Sequence, residues 1–485
     1  MKESLHSKTP LSLTALQHKP FSGFVIIRFA YEYAYFEGNS LFDFAQKNDI
    51  RGLYDLLQKY KPNSIQRQVN SIPMYKLKEL EERAKKPKPH NFFVQRSSAP
   101  LRSLSTYWRL DYSNTIYELS NVIASFNSLR DVELAYQELL AHDPTVEYDN
   151  DPHHREQLYW DAAPKGINAK WVWETQGIAG EGVGFIDLEQ GWELPHADLS
   201  RVDSRVIINA NAHGVNGYRG THGTNTLGVV AATDNSTGIV GIAPSVKYIK
   251  LASHYYHSSG TTGHVANAIG KVLDEFYDGN VKKGDVLLIE VQRDKYPVEV
   301  DDADFCAIQC ACNLGLIVIE AAGNGGHDLD EWRDSFKNSR LNQAHNIHFE
   351  DSGAIMVGAS RAEPPYYSDH DRISHSNYGN RVDCYAWGEN VATAGGNGDL
   401  SGKNTSTSFD NFTRGFGGTS AASAIIAGAA ILLQSYYKLK KIRILDSYEM
   451  RQLLSNTGTA QGDLVEGHIG VMPDLKKIIQ MPYLY

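Results

Sequence analysis

The sequence predicts an α/β chain of two parts, in which a mostly parallel sheet flanked by helices follows a smaller α+β unit. Two observations carry this prediction. From Gly182 onward, short apolar runs bounded by Gly, Asn and Asp recur, with helical segments between several of them. Before Thr145 the order of elements is instead strand, helix, strand, strand, helix, strand. The length of 485 residues is itself too great for one ordinary domain.

In the first part, apolar periodicity alternates between that of strands and that of helices. It predicts strands at 24–32, 65–72, 103–110 and 132–139, helices at 40–60 and 114–129, and a charged insertion at 76–90. This order predicts a ferredoxin-like arrangement, in which a small antiparallel sheet carries both helices on one face. We expect an N-terminal extension at 1–20, this folded unit at 21–145, an exposed linker at 146–160 and a second domain at 161–485.

In the second domain the apolar runs are continuous, as in strands buried on both faces of a sheet. The predicted strands are 183–186, 206–208, 246–251, 286–291, 316–322 and 354–359, and the clearest intervening helices are 224–232, 262–277 and 303–314. Strands that alternate with helices in this way favour parallel pairing.

The two parts carry opposite charge. Lys and Arg outnumber Asp and Glu by 19 to 15 up to Thr145, whereas Asp and Glu outnumber Lys and Arg by 42 to 28 afterwards. Opposite charges favour docking of the two parts on each other, and an acidic main body argues against nucleic acid or an anionic membrane as a partner.

Cysteines and apolar runs bear on the compartment. Cys306, Cys310 and Cys312 crowd into one segment and Cys384 stands alone, which is neither a disulfide framework nor a set of paired zinc ligands, so we expect buried thiols. The first 20 residues lack the apolar core of a secretory signal, and the longest apolar run, 421–433, is too short to span a bilayer. These features favour a cytoplasmic protein, with secretion by another route as the alternative.

Four motifs fall at strand ends or helix starts, where open α/β sheets place their sites. They are GVGFIDLEQGW around Asp187, THGTNTLGVVAA around His222, VIEAAGNGG around Asn324 and GFGGTSAASAIIAGAA around Ser420. With this order and these HGT, AAGN and GTSAA contexts, the chain resembles the subtilisin-like (S8) serine peptidases over about residues 155–475.

The resemblance implies a serine endopeptidase that works through an acyl-enzyme. It makes Ser420 the nucleophile, His222 the general base and Asp187 the acid that orients the imidazole, with Asn324 and the Ser420 N–H as oxyanion donors. The local sequence fits, because Ser420 opens a helix of small residues whose positive end can face a developing oxyanion. The family usually continues Asp-(Thr/Ser)-Gly, whereas Leu188 and Glu189 follow here, so Glu189 is a rival acid.

A second departure concerns the substrate-binding strand. The sequence LLIEVQ stands where the family usually has Ser-Leu-Gly, so Glu290 and Gln292 occupy the outer positions of that strand. We expect these two residues and Gly323 to bind substrate. If Glu290 faces the primary pocket, charge pairing favours a basic residue before the scissile bond, and the alternative is a buried, internally paired Glu.

The resemblance also implies a prodomain and a set of partners. By position and element order, the N-terminal unit resembles the family's inhibitory propeptides, so the partners are a polypeptide substrate and the chain's own prodomain as an intramolecular inhibitor. An independent interaction domain is the alternative for this unit, and a catalytically silent binding scaffold is the alternative for the whole chain. No cofactor is required and no metal ligand is assigned. Structural calcium is compatible with the family, but no acidic loop identifies its ligands.

Overall fold

The structure is a computed structural model, and it describes most of the chain. The described residues are 21–38, 40–85, 101–139, 141–142, 157–194, 196–199, 207–209, 220–234, 238–254, 264–335, 339–343, 349–362, 370–396, 400, 411–440 and 442–481. The predicted extension at 1–20 and most of the predicted linker lie outside them. We refer to residues 21–142 as the N-terminal unit and to residues 157–481 as the C-terminal domain.

The main described elements of the N-terminal unit are β1 (Phe21–Phe29), α1 (Leu41–Lys47), α2 (Leu53–Lys59), β2 (Ser64–Arg67), α3 (Met74–Lys85), β3 (Tyr107–Asp111), α4 (Leu119–Asn127) and β4 (Val132–Leu139). These four strands form an antiparallel sheet in the order β2-β3-β1-β4. Val25, Ile27 and Phe29 of β1 alternate toward a core shared with α1, α2 and α4, so these helices cover one face of the sheet.

Two sequence-based expectations for this unit need correction. The predicted helix at 40–60 is two helices, because Asp49 (φ 49°) and Gly52 (φ 82°) take left-handed conformations that interrupt a right-handed helix. Within the charged insertion, Met74–Lys85 forms the amphipathic helix α3, whose Leu77 and Leu80 are buried. Its apolar face packs on the C-terminal domain, a partner that the local sequence does not reveal.

The C-terminal domain confirms the predicted mostly parallel sheet. Nine strands lie in the order β17-β18-β14-β13-β12-β9-β6-β8-β7, and all neighbours are parallel except β17 and β18. The strands of this sheet are β6 (Gly184–Glu189), β7 (Ile207–Asn209), β8 (Tyr248–Ser253), β9 (Val286–Ile289), β12 (Ile317–Ala321), β13 (Ile355–Ser360), β14 (Cys384–Trp387), β17 (Gly458–Ala460) and β18 (Val471–Pro473).

The remaining elements complete two helical layers and two small sheets. The helices are α5 (Ala169–Trp171), α6 (Gly220–Ala231), α7 (Val265–Tyr277), α8 (Asp302–Leu314), α9 (Gly418–Leu439), α10 (Ser447–Asn456) and α11 (Leu475–Gln480). The additional strands are β5 (Ala141–His142), β10 (Gln292–Arg293), β11 (Tyr296–Pro297), β15 (Val391–Ala394) and β16 (Phe412–Phe416). The four cysteines are buried, and none forms a disulfide.

The helix α9 runs through the middle of the C-terminal domain. Its small residues allow it to approach the sheet closely, and it is buried from Gly418 to Tyr437. It is long and apolar enough to cross a membrane by length and composition, with a mean hydropathy of 1.4, but that stretch is entirely enclosed by protein. This burial is that of a core helix.

The two parts of the chain share an extensive interface. The helix α3 and the face of the N-terminal sheet opposite α1, α2 and α4 pack on α7 and α8 in one continuous apolar cluster. At its edge the Ser71 hydroxyl donates to the Asn267 carbonyl at 2.7 Å, and Lys76 lies 2.8 Å from Asp278. The docking predicted from opposite charges is thus present as direct contacts between the two parts.

The first turn of α8 contributes a buried ionic cluster to this interface. The Asp302 carboxylate accepts hydrogen bonds from Arg28, from Arg102 at 3.0 Å and from Arg340 at 2.6 Å, and the Tyr107 hydroxyl donates to it at 2.5 Å. Three of these four donors belong to the N-terminal unit. Burial alone would raise the pKa of Asp302, but the three guanidinium groups outweigh it and hold that pKa well below its usual range.

The chain leaves the N-terminal unit along the C-terminal domain. The strand β5 pairs antiparallel with β10, with Ala141 opposite Arg293 and His142 opposite Gln292. On its other side β10 pairs with β11. At the far end of the predicted linker, Tyr159 is buried in the core of the C-terminal domain, and its hydroxyl donates to the Ala392 carbonyl at 2.9 Å. Positions 157–160, the far end of the predicted linker, therefore belong to the described structure and include a buried residue.

Candidate active site

The first turns of two packed helices hold the predicted base and nucleophile. His222 lies in the first turn of α6 and Ser420 in the first turn of α9, and these helices pack against each other. The His222 ring is 5.5 Å, centroid to centroid, from the ring of Phe416, which ends the strand before α9. Both helix N-termini thus meet beside the carboxyl end of the sheet, where the sequence placed the site.

The carboxylate that contacts the imidazole belongs to Glu189. His222 Nδ1 lies 2.7 Å from Glu189 Oε1, and the Glu189 side chain is completely buried. Asp187 instead accepts a hydrogen bond from Trp192 Nε1 at 2.7 Å. The prediction that Asp187 orients the imidazole is therefore wrong in this structure, and Glu189, the rival acid, holds that position.

The geometry of β6 explains this exchange. Successive side chains alternate across a strand, so Asp187 and Glu189 lie on the same face, with Glu189 one pleat closer to the carboxyl end. The strand runs through Glu189, and the first turn of α6 stands at that level. A signal was present in the sequence, because Glu189-Gln190-Gly191 places an acid two residues before a glycine, as the family pattern does.

Asn324 is oriented by hydrogen bonds to its own oxygen. Asn324 Oδ1 accepts from the backbone N–H of Thr419 at 3.0 Å and from the Thr419 hydroxyl at 3.2 Å. Because a backbone N–H can donate only to an oxygen here, these contacts fix which end of the amide is the NH2. Asn324 Nδ2 is buried and has no hydrogen-bond partner among the residues that the structure describes.

The turn around Asn324 is held by residues that lie far away in sequence. The Gln292 side-chain oxygen accepts from the backbone N–H of Asn324 at 2.9 Å. Asn377 donates to the Ala322 carbonyl at 2.7 Å and accepts from the His327 N–H at 2.9 Å. Gly323 has φ +92°, a conformation that favours glycine. Asn377 and Thr419 were missed by sequence reasoning, because nothing local in either motif indicates these contacts.

The residues predicted to bind substrate separate into two groups. Gln292 lies in β10, whose backbone pairs with β5 on one side, and Gly323 lies in the turn beside the Asn324 amide. Glu290 is fully buried, and its carboxylate lies within hydrogen-bonding distance of Thr226 and Ser423. The expectation that Glu290 binds substrate is wrong in this structure, because its buried side chain contacts Thr226 of α6 and Ser423 of α9. The buried alternative is the one found.

The Glu290 carboxylate also lies near the imidazole of His222. Its Oε2 lies 4.0 Å from His222 Nδ1, so ligand atoms of Glu189, His222 and Glu290 all fall within 4.8 Å of one another. Such a group could hold a metal ion. Here His222 Nδ1 is already engaged by Glu189 at hydrogen-bonding distance, which is the arrangement of an acid and a base, and we assign no metal to it.

Comparisons with known proteins identify the family of this chain. A family model described as the subtilase family, Peptidase S8, matches residues 188–471, a region that begins one position after Asp187 and includes Glu189. The thermophilic serine proteinase of Bacillus sp. (strain AK1) is 28% identical over 360 residues, which cover 70% of this chain and 76% of that protein. Subtilisin DY of Bacillus licheniformis is 27% identical over 290 residues, which cover 60% of this chain and 88% of that protein.

Among solved structures, the fold is similar to that of fervidolysin from Fervidobacterium pennivorans, a keratinolytic enzyme related to subtilisin. The TM-score is 0.56 at 15% sequence identity, and the likeness covers 96% of this chain. This chain spans 62% of the length of fervidolysin. The family model matches more than half of the chain and contains every residue of the site except Asp187. The chain therefore belongs to the subtilase family and is a subtilisin-like serine endopeptidase.

Proposed function

We propose that Ser420, His222 and Glu189 form the catalytic triad of this peptidase, and that the N-terminal unit keeps it silent until that unit is removed. In the first step, Ser420 Oγ attacks the scissile carbonyl while His222 Nε2 takes the hydroxyl proton. His222 then donates that proton to the leaving amine, and water hydrolyses the acyl-enzyme by the same path. Glu189 accepts from Nδ1–H and stabilises the imidazolium that forms.

The observation that carries the proposal is a set of three buried atoms. His222 Nε2, Ser420 Oγ and Asn324 Nδ2 have no hydrogen-bond partner among the described residues. Buried polar atoms are normally paired, because leaving a donor or acceptor unsatisfied costs about 1–3 kcal/mol. A base nitrogen, a hydroxyl and an amide donor without internal partners are what attack on a carbonyl and capture of its oxyanion require.

The oxyanion would be held by two donors. One is Asn324 Nδ2, which the contacts of Oδ1 with Thr419 turn toward the open position. The other is the Ser420 N–H, since the first N–H groups of a helix have no intrahelical acceptor and carry its positive end. Both donors are fixed before the reaction, so they need no reorganisation as charge develops.

The pairing of β5 with β10 supports the inhibitory role of the N-terminal unit. An extended segment laid antiparallel on an exposed strand is a common way to bind a peptide. Here the segment that leaves the N-terminal unit lies on β10, and Gln292 of β10 contacts the Asn324 backbone. A peptide substrate that used the same edge would have to displace β5.

A fluorophosphonate probe tests both parts of the proposal. The full chain should label slowly, and labelling should rise at least tenfold once proteolysis has degraded the N-terminal unit. Ser420→Ala should not label in either state. An intact chain that labels as fast as the digested one would refute the inhibitory role. Absence of Ser420-dependent labelling in both states would instead support a silent binding scaffold.

A second experiment isolates β5. Proline at positions 141 and 142 removes the amides that could pair with β10, whereas glycine at the same positions keeps them. The proline variant should label faster than the glycine variant without any proteolysis. Equal rates for the two variants would show that β5 does not control access to the site.

A further inference from the structure

We infer that Glu290 is a positioning residue held as a neutral carboxylic acid, which donates a hydrogen bond to the Thr226 hydroxyl and thereby leaves Thr226 free to donate to Glu189 or to the His222 carbonyl. The inference concerns this chain's own acid pair, and its functional consequence rests on the triad proposed above. The residues involved come from four places: Glu189 from β6, His222 and Thr226 from α6, Ser423 from α9, and Glu290 from the residue after β9.

The two carboxylates are neighbours across the sheet. The last paired residues of β6 and β9 are Leu188 and Ile289, so Glu189 and Glu290 follow side by side in the parallel register. Both side chains are fully buried. Glu189 contacts the imidazole directly at 2.7 Å, whereas Glu290 Oε2 is 4.0 Å from the same nitrogen.

Charge alone favours one proton on this pair. Among the described residues, the titratable groups that act most strongly on Glu290 are Glu189 and Asp187 of β6 and His222 of α6. In the resting enzyme His222 must be neutral to act as a base. Two ionised carboxylates side by side are strongly disfavoured at a buried site. Burial and the neighbouring Glu189 accordingly raise the pKa of Glu290 well above its usual range.

The hydrogen-bond count around Thr226 indicates where that proton lies. The Thr226 hydroxyl is 2.7 Å from Glu290 Oε2, 3.2 Å from the His222 carbonyl and 3.4 Å from Glu189 Oε1. A hydroxyl has one proton, so it cannot donate to all three acceptors. If Glu290 donates a hydrogen bond to Thr226 at the shortest of these distances, the Thr226 hydroxyl can in turn donate its own hydrogen bond to Glu189 or to the His222 carbonyl.

Ser423 does not replace that donor. Its hydroxyl lies 2.9 Å from the Ser420 carbonyl and 3.3 Å from Glu290 Oε1, so its single proton is better placed for the carbonyl. Among the residues that the structure describes, Glu290 as an anion would then depend on Thr226 alone. As an acid, it donates to the Thr226 hydroxyl, whose own proton is then available to the His222 carbonyl at 3.2 Å or to Glu189 Oε1 at 3.4 Å.

The consequence for the enzyme is a single negative charge behind the imidazole. Glu189 carries that charge, while Glu290 supplies a hydrogen bond to Thr226 without adding a second charge. A second anion would bind the imidazolium more tightly and oppose the release of its proton. The neutral acid therefore leaves His222 able to release its proton to the leaving group.

Infrared difference spectroscopy on the intact full chain tests the protonation directly, and it needs no activity. The spectrum of the parent protein minus that of Glu290→Gln should show the carbonyl stretch of a neutral carboxyl group. A difference that shows an ionised carboxylate instead overturns the inference. If Glu290→Gln fails to fold, Thr226→Val should shift the neutral-carboxyl band and Thr226→Ser should leave it in place, and a band that Thr226→Val leaves unmoved also overturns the inference.

The pH dependence of fluorophosphonate labelling tests the functional consequence, with the N-terminal unit degraded. Glu290→Gln still offers a donor to Thr226, so its labelling rate should stay within about threefold of that of the parent. The acid limb, which is the low-pH side of the plot of labelling rate against pH, should keep its midpoint. Glu290→Leu, which has no donor for the buried Thr226 hydroxyl, should label about 10- to 100-fold more slowly. If Glu290 were ionised, Glu290→Gln would lower the acid-limb midpoint by about one unit or more, because a charge 4.0 Å from Nδ1 would be lost.

These outcomes are separable from those that test the triad. If the parent protein never labels at Ser420, the proposed function fails while the infrared result still decides the state of Glu290. If the parent labels and Glu290→Gln moves the acid limb by a full unit, the triad stands and the inference fails.

Discussion

The choice of acid at the site gives the sharpest prediction. Changing Glu189 to Gln removes the charge that contacts His222 and lets the amide NH2 point at Nδ1, which would hold the imidazole in the wrong tautomer. Changing Asp187 to Asn is the matched control, because Asn Oδ1 can still accept from Trp192 Nε1. We expect a large loss for Glu189→Gln and less than a tenfold loss for Asp187→Asn.

The size of the loss follows from the contact between Glu189 and His222. At 2.7 Å and an effective dielectric constant of about 20, a unit charge stabilises the imidazolium by about 6 kcal/mol. Each 1.36 kcal/mol corresponds to about a factor of ten in rate, so losing the whole stabilisation by the Glu189 charge would slow the reaction by roughly four powers of ten. The dipole of the Gln side chain restores part of that stabilisation, and we expect a loss in rate of about 10³- to 10⁴-fold.

The assay is the second-order rate of fluorophosphonate labelling at Ser420, with the N-terminal unit degraded. Circular dichroism and thermal midpoints of both variants establish that each is folded. A rate for Asp187→Asn that falls as far as that of Glu189→Gln would refute the assignment of Glu189 alone. A fall confined to Asp187→Asn would restore the assignment that the family pattern first suggested.

Three further predictions concern the oxyanion site and the stability of the chain. Asn324→Ala should lower turnover about 10²- to 10³-fold with little change in KM, measured on a peptide substrate, because one transition-state donor is lost. After the linker is cut, Asp302→Asn should weaken the association of the two parts at least 100-fold, because breaking a buried ionic cluster costs about 3–5 kcal/mol. Asp278 is half-exposed, so Asp278→Asn should change the association less than fivefold. Titration calorimetry measures both. Burial and the nearby Arg109 lower the pKa of His264 to about 3, so the folded chain resists a proton that the unfolded chain binds below about pH 6.5. Lowering the pH from 7 to 5 should therefore reduce the free energy of unfolding by about 2 kcal/mol through His264. The denaturant midpoints at pH 7 and pH 5 should differ less in His264→Gln than in the parent protein. Equal differences in the two proteins would contradict this reasoning.

Much of the architecture could be predicted from the sequence. Continuous apolar runs are required wherever a strand is covered on both faces, and so β6, β8, β9, β12 and β13 can be recognised as strands from their residues alone. The motifs around His222, Asn324 and Ser420 are equally recognisable, because each combines a functional residue with the small residues that let a helix or a turn approach the sheet. These are local requirements, and local sequence records them.

The helix α3 shows what local sequence does not record. Its charged surface suggested an insertion between strands, and its apolar face has meaning only because α7 and α8 lie opposite it. The pairing of β5 with β10 is similar, since two residues carry no periodicity of their own. In both cases the stabilising partner lies more than a hundred residues away.

The identity of the acid separates the two kinds of information most clearly. The residues along the chain were enough to require an acid at the end of β6 and a base at the start of α6, because both lie within recognisable motifs. The choice between Asp187 and Glu189 depended on the folded arrangement, which also placed Glu290 beneath the imidazole rather than in a pocket. Hydrogen bonding depends on a few ångströms of separation between side chains, and the packing of α6 and α9 on the sheet sets that separation.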